Sequence, residues 1–245
     1  MRVTATQLVT YWTCPFLWYV SYQRKEPLPV WGTRRRFGNV IHAAIAEYER
    51  RGRSLERALL ALEVHRAGLT PKDLEEAKSI LIWRHERSWE REGRLVLVEG
   101  SLRAHLDGHR LDVRMDRLDG RGGEFLLAEY KGGKTVDIRL VRTQLAIIAY
   151  AILDVFGRAP ARWELELLRT RQVLEIPAET HPEALRRLPG RLIQGILEGD
   201  RDPNPYDPHF CSRCPAKAYC PRQTPSPKPF SRTAASQEQQ QLTLF

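Results

Sequence analysis

Leu111-Asp112-Val113-Arg114-Met115-Asp116-Arg117-Leu118-Asp119, answered after a glycine-rich turn by Leu126-Leu127-Ala128-Glu129-Tyr130-Lys131, is the stretch whose reading decides the fold. Side chains alternate faces along an extended strand, so Asp112, Arg114 and Asp116 share one face while Val113 and Met115 take the other. By the same rule Glu129 and Lys131 lie together, opposite Tyr130. Twelve residues separate Asp116 from Glu129, enough for a hairpin that brings the two acids together. Two carboxylates converging with a lysine suit a hard cation, because Mg²⁺ or Mn²⁺ takes oxygen ligands and keeps waters for a phosphate and a nucleophile. Lys131 would orient the attacking water and offset charge developing on phosphorus. An ordinary cross-strand ladder of opposite charges has the same pattern, so the surrounding sequence has to decide.

Runs at residues 95–106, 109–118 and 124–131, joined by Asp107-Gly108 and the glycines of 120–123, predict three antiparallel strands in a meander. Glu99, on the first of them, reads as a solvent-facing strand acid. Upstream, residues 4–22 form an aromatic helix interrupted by Pro15, and residues 37–50 set Val40, Ile41, Ala44, Ile45 and Tyr48 on one helical face with His42 among them. Residues 54–67 give another helix, and Thr70-Pro71 is a cap followed by proline at the first helical position, opening a charged helix to about residue 92. Downstream come a helix over 139–155, strands over 161–169 and 173–176, and a helix over 181–198 that Pro189-Gly190 is expected to bend. The prediction is an α+β domain over residues 1–221: a mainly helical part (1–93), a sheet core (94–180), and a C-terminal helix with a cysteine cluster (181–221). Residues 222–245 are rich in Pro, Ser, Thr and Gln, a composition that buries too little apolar area to order itself, and read as a flexible tail.

Of the 245 residues 42% are hydrophobic, which excludes a wholly disordered chain. A formal net charge of +9 favours polyanions such as DNA or RNA. Basic balance alone names no partner. No apolar run reaches the roughly 18 residues of a membrane helix, and the start of the chain lacks a cleavable leader pattern, so a cytoplasmic, nucleoid-associated protein without a membrane partner is expected. The absence of a G-x-x-x-x-G-K-(S/T) loop argues against a built-in motor.

Cysteines in such a compartment are read as metal ligands or buried thiols before disulfides. Cys211, Cys214 and Cys220 form a tight triple, with Cys14 far upstream. Four thiolates suit zinc or an iron-sulfur cluster; zinc ribbons usually come as two C-x2-C pairs, so three clustered cysteines with a distant fourth fit a 4Fe-4S cube better.

The order of these motifs resembles the RecB-family nuclease domain of the PD-(D/E)XK superfamily, in particular its iron-sulfur branch, which includes the nuclease part of AddB and the CRISPR-adaptation exonucleases. Gly38-Asn39-Val40-Ile41-His42 is similar to the family's G-x-x-x-H segment, Met115-Asp116-Arg117-Leu118-Asp119 to I-D-R-I-D, and Glu129-Tyr130-Lys131 to (D/E)-x-K. The resemblance implies a restriction-endonuclease-like core, a mixed sheet flanked by helices. It implies Mg²⁺ or Mn²⁺ held by His42, Asp116, Glu129 and the carbonyl of Tyr130, with Asp116, Glu129, Lys131 and Gln144 as the catalytic set. Gln144 begins the counterpart of the family's Q-x-x-x-Y helix, although Ile148 takes the tyrosine position and the aromatic is displaced to Tyr150. Gln144, Tyr150 and Arg117 are expected to touch DNA. Prolines after Cys14, Cys214 and Cys220 strengthen the iron-sulfur likeness.

Gln241-Leu242-Thr243-Leu244-Phe245 resembles the bacterial sliding-clamp-binding pentapeptide, with Leu242, Leu244 and Phe245 as apolar anchors and Gln241 as a hydrogen-bonding end for a preformed groove. The sequence therefore predicts a metal-dependent deoxyribonuclease, an exonuclease on single-stranded DNA, tethered to the clamp in repair or replication. Its rivals are a CRISPR-adaptation nuclease that processes spacer DNA and a non-catalytic iron-sulfur or zinc DNA-binding subunit.

Overall fold

The structure, a computed structural model, describes residues 1–29, 32–87 and 93–223. It forms two compact units, one of Met1–Ala5 with Val30–Leu188, the other of Thr6–Pro29 with the chain from Pro189 on. The early aromatic helix thus groups with the cysteine segment and not with the helices that follow it in sequence. The tail pentapeptide lies outside the described residues.

The first unit is built on a six-stranded mixed sheet. Strands β1 (Arg2–Thr4), β2 (Arg94–Leu106), β3 (His109–Arg121), β4 (Glu124–Lys131), β5 (Arg162–Leu167) and β6 (Gln172–Ile176) run in the order β1-β3-β4-β5-β6, with β2 on the other side of β3. β2, β3 and β4 are the antiparallel meander that the turn signals predict. β1 is too short to carry a period-2 signal and pairs in parallel with residues 110–112 of β3.

The sheet is clad by α3 (Gly32–Arg50), α4 (Leu55–His65), α5 (Pro71–Glu86) and α6 (Ile138–Phe156). Phe37, Ile41, Ile45 and Tyr48 of α3 pack with Leu62 of α4, Ile80 and Leu81 of α5, and Ala128 and Tyr130 of β4. α6 packs on β2, β3 and β4 and buries Leu145, Ile148 and Ile152. Side chains of one strand alternate, so Tyr130 enters the α3–α5 core while its neighbours Glu129 and Lys131 face α6. Local signals set the helix ends. Ser54 and Thr70 accept from the amides of Arg57 and Asp73 three residues on, Pro71 occupies the first turn of α5, and Gly157 ends α6 at φ +73°.

In the second unit α1 (Ala5–Thr13) stops before Pro15, which opens the short α2 (Pro15–Trp18), followed by a π-helical turn over Tyr19–Arg24. Pro15 has no amide hydrogen to continue α1 but suits a first helical position. The last helix, α7 (Pro182–Glu198), continues through Pro189. Trp12 stacks on Tyr206 with ring centres 4.3 Å apart, and Tyr11 donates to Asp200 at 3.3 Å. Gly195 is required here: a Cβ would come within 2.4 Å of the Tyr11 hydroxyl. No helix among the described residues is long and apolar enough to cross a membrane.

Candidate active site

The site sits where β3 loses a partner. Along one edge β3 pairs with β1 at residues 110–112 and with β4 from Arg117 onward, opposite Ala128, and Asp116 falls in the interval. One step beyond the Arg117–Ala128 pair, β4 turns its ladder to β5, pairing Glu129 with Leu165 and Lys131 with Leu167. This fork opens the sheet between Asp116 and Glu129. It is held by the amide of Tyr130, which donates to Asp116 Oδ2 at 2.6 Å. β2 supplies a third acid from across β3: Val98 and Gly100 pair with Arg117 and Met115, so Glu99 stands opposite Asp116.

His42 of α3 joins these carboxylates. Its Nδ1 lies 2.8 Å from Glu99 Oε1 and 3.1 Å from Asp116 Oδ1, and one ligand atom from each of the three residues falls within 4.8 Å of the others. Glu129 Oε1 accepts from Lys131 Nζ at 2.6 Å and from Gln144 Nε2 at 2.7 Å, and Lys131 also donates to Gln144 Oε1 at 2.9 Å. The other oxygen, Glu129 Oε2, is buried with no hydrogen-bond partner. A buried carboxylate oxygen is costly to leave unsatisfied, and this one fits a cation. Burial and then the charge of Asp116 push the Glu129 carboxyl up to about 7, against the pull of Lys131. Burial lowers the His42 imidazolium, but hydrogen bonds to Asp116 and Glu99 and their charges outweigh it and raise the group to about 10.

The structure therefore brings together His42, Asp116, Glu129, Lys131 and Gln144, with the backbone of Tyr130 beside them. Three readings are corrected. Glu99 is not a solvent-facing strand acid: its side chain is 6% exposed, bound to His42 and, at 2.8 Å, to Arg114. Its left-handed backbone, φ +46° in mid-strand, is a strained conformation of the kind held at functional sites. Arg117 is not open to DNA, because its side chain is 0% exposed and pairs with Glu49 and Asp119 on the opposite sheet face. Tyr150 is 6% exposed, and its hydroxyl donates to the carbonyl of His105. Gln144 is half-buried and engages Glu129 and Lys131, not solvent. Only Glu99 was missed outright, since a single acid in Val98-Glu99-Gly100 shows no pattern; the clue is its register with Asp116.

In the second unit all four cysteines are free thiols lining one cavity of about 440 Å³, walled by Phe16, Leu17 and Phe210. Short 3₁₀ turns at Pro208–Arg213 and Lys217–Tyr219 present Cys211, Cys214 and Cys220 to it. Burial pushes the Cys14 thiol up to about 11, with a smaller contribution from Cys214 and Cys220, which places the distant cysteine beside the triple. Such a donor set fits a thiolate-bound metal or cluster.

No curated protein sequence matches the chain. Among solved structures, one from Eubacterium rectale that carries the name of an exonuclease is similar over 93% of this chain and 90% of its own, at 12% identity and a TM-score of 0.53. SSO0001 is 17% identical, over 90% of this chain and 86% of that one, at a TM-score of 0.42, too loose a likeness to bear weight. The first likeness supports the fold: a mixed sheet forked at its acidic site. The PD-(D/E)XK nuclease superfamily pattern matches residues 2–221, and the chain belongs to that superfamily of nucleases.

Proposed function

We propose that the protein is a Mg²⁺- or Mn²⁺-dependent deoxyribonuclease acting as an exonuclease on single-stranded DNA. The observation that carries this reading is Glu129, a buried carboxylate with one oxygen bound to Lys131 and Gln144 and the other unpartnered beside Asp116. Asp116, Glu129, His42 and the Tyr130 carbonyl would hold the cation, with Glu99 as a further oxygen donor. When bound, the ion supplies the Lewis acidity that phosphodiester hydrolysis needs. Lys131 puts a positive charge where negative charge builds on phosphorus. Gln144 fixes Lys131 and Glu129 at once, so neither has to reorganise during reaction. The net charge of +9 draws in the polyanionic strand with a salt-dependent affinity.

The cysteine cavity supports a 4Fe-4S cluster held by Cys14, Cys211, Cys214 and Cys220, a structural staple between distant parts of the sequence. The terminal Gln241, Leu242, Leu244 and Phe245 support tethering to the sliding clamp in repair or replication, which raises local enzyme concentration at DNA.

The test incubates intact protein, Asp116→Ala and Lys131→Ala with end-labelled single-stranded DNA and Mn²⁺. Progressive shortening by the intact protein alone is expected. Equal cleavage by all three removes the proposed site, and no cleavage by intact, cluster-loaded protein favours the DNA-binding subunit. Deleting residues 241–245 should abolish co-elution with a bacterial clamp and leave cleavage intact.

A further inference from the structure

On the sheet face opposite Glu129 and Lys131 lies a second cavity, of about 240 Å³. Parity along the strands separates the two sites. Asp119 and Arg121 of β3 alternate with the face of Asp116, and Leu126 of β4 shares the side of Tyr130. The cavity shares no residue with the candidate active site, and the nuclease reading does not enter into its interpretation.

The lining is charged in an ordered way. Arg53, Arg84, Arg87, Arg121 and Arg162 contribute guanidinium groups. The carboxylates among them are already claimed from within. Buried Arg84 binds Glu166 and, at 3.2 Å, Glu49, and also donates to the Tyr130 hydroxyl at 3.1 Å. Beneath them buried Arg117 binds Glu49 and, at 2.7 Å, Asp119. Glu164 lies 3.7 Å from Arg162. Six arginines thus stand against four carboxylates, leaving an excess of two positive charges. That excess faces outward, because Arg121 and Arg162 are exposed at the rim while Glu49, Asp119 and Glu166 are buried.

Arginine forks bind phosphate oxygens bidentately, and a phosphate monoester near neutral pH carries about −1.5 to −2 charges. A volume of about 240 Å³ holds roughly eight waters at about 30 Å³ each, room for a phosphate and an attached sugar. Half-buried Trp83, with the Arg87 guanidinium 5.3 Å from its ring centre, gives the wall an aromatic surface against which a sugar or base can rest. We propose that this cavity is a binding site for a phosphate monoester dianion, either free phosphate or the phosphate of a nucleoside monophosphate.

Titration calorimetry on the full chain at pH 7.5 in EDTA, which keeps divalent ions off the catalytic carboxylates, tests the site with inorganic phosphate, thymidine monophosphate and uncharged thymidine as probes. One saturable site for the phosphate-bearing probes and none for thymidine is expected. Arg121→Ala with Arg162→Ala should weaken binding at least tenfold while the unfolding midpoint stays put, and the double lysine variant should recover part of it. Asp116→Asn should bind as the unaltered protein does. A nucleotide bound tenfold more tightly than phosphate assigns the site to the nucleotide, and equal affinities assign it to the phosphate group alone. Absence of saturable binding, indifference to the arginine variants, or loss of binding in Asp116→Asn would each overturn the proposal.

Discussion

Replacing Lys131 with methionine removes the cation that touches both Glu129, at 2.6 Å, and Gln144, at 2.9 Å, and the resulting loss divides into two parts. The first is a preorganised positive charge at the reacting phosphorus. Losing one such group costs about 10²- to 10³-fold in rate, or roughly 3–4 kcal/mol, and this part persists at saturating metal and at every pH. The second acts through Glu129. Lys131 holds that carboxyl down to about 7 against burial and Asp116, so without it the group rises further and is mostly protonated at neutral pH. Each pKa unit of rise is about 1.4 kcal/mol, or tenfold in apparent Mn²⁺ affinity while the acid is protonated. A raised carboxyl is charged only above its pKa, so this part is largest near pH 7 and fades toward pH 9. Single-turnover cleavage over a Mn²⁺ series at both pH values separates the two. The variant-to-parent rate ratio at saturating Mn²⁺ should stay at 10⁻² or below, by order of magnitude, while the ratio of half-saturating Mn²⁺ concentrations falls toward one at pH 9. A saturating rate within fivefold of the parent, or a half-saturation ratio indifferent to pH, would refute the reasoning.

Metal binding should release protons, because His42, raised to about 10, is cationic at neutral pH and must become neutral to ligate. Calorimetry of Mn²⁺ binding in buffers of different ionisation enthalpy should show the release, reduced in His42→Ala. In the metal-free protein the same raised pKa gives a stabilising contribution complete below about 6.5 and lost as pH rises through about 10, measurable by urea unfolding across that window. Arg84→Met strands Glu166 and weakens the hold on Glu49, which should cost about 3–5 kcal/mol in urea unfolding. Arg84→Met combined with Glu166→Leu should recover most of that loss, since an apolar pair leaves no buried charge uncompensated. Cys14→Ala should abolish the broad visible absorbance of thiolate-bound iron and lower the thermal midpoint; unchanged absorbance would separate Cys14 from the cluster.

Strand alternation around Asp116 and Glu129, the turn glycines between them and the Thr70-Pro71 cap specify the meander and α5 from local chemistry, and the structure follows them. The cysteine spacing marks a shared site because few other arrangements put three thiols so close in a non-secreted chain. Glu99 escaped because its role depends on register across β3 and on one left-handed residue, neither of which leaves a periodic trace. Arg117 misled for the opposite reason: an arginine beside a catalytic acid looks like a phosphate contact, but odd and even residues of one strand face opposite sides, and its side carries Glu49. Tyr150 sits within two turns of Gln144 but is drawn to the carbonyl of His105 by packing against β2, which no window of α6 contains.

The central claim is that the fork between β3 and β4 holds a divalent cation. Crystals grown with Mn²⁺ and measured at the manganese absorption edge test it directly. The account predicts an anomalous peak about 2.0–2.3 Å from His42 and from oxygens of Asp116 and Glu129, by ordinary hard-cation ligand distances, with Lys131 turned toward the vacated solvent side. A fork with no peak at saturating Mn²⁺, and Glu129 still bound only to Lys131 and Gln144, would contradict it.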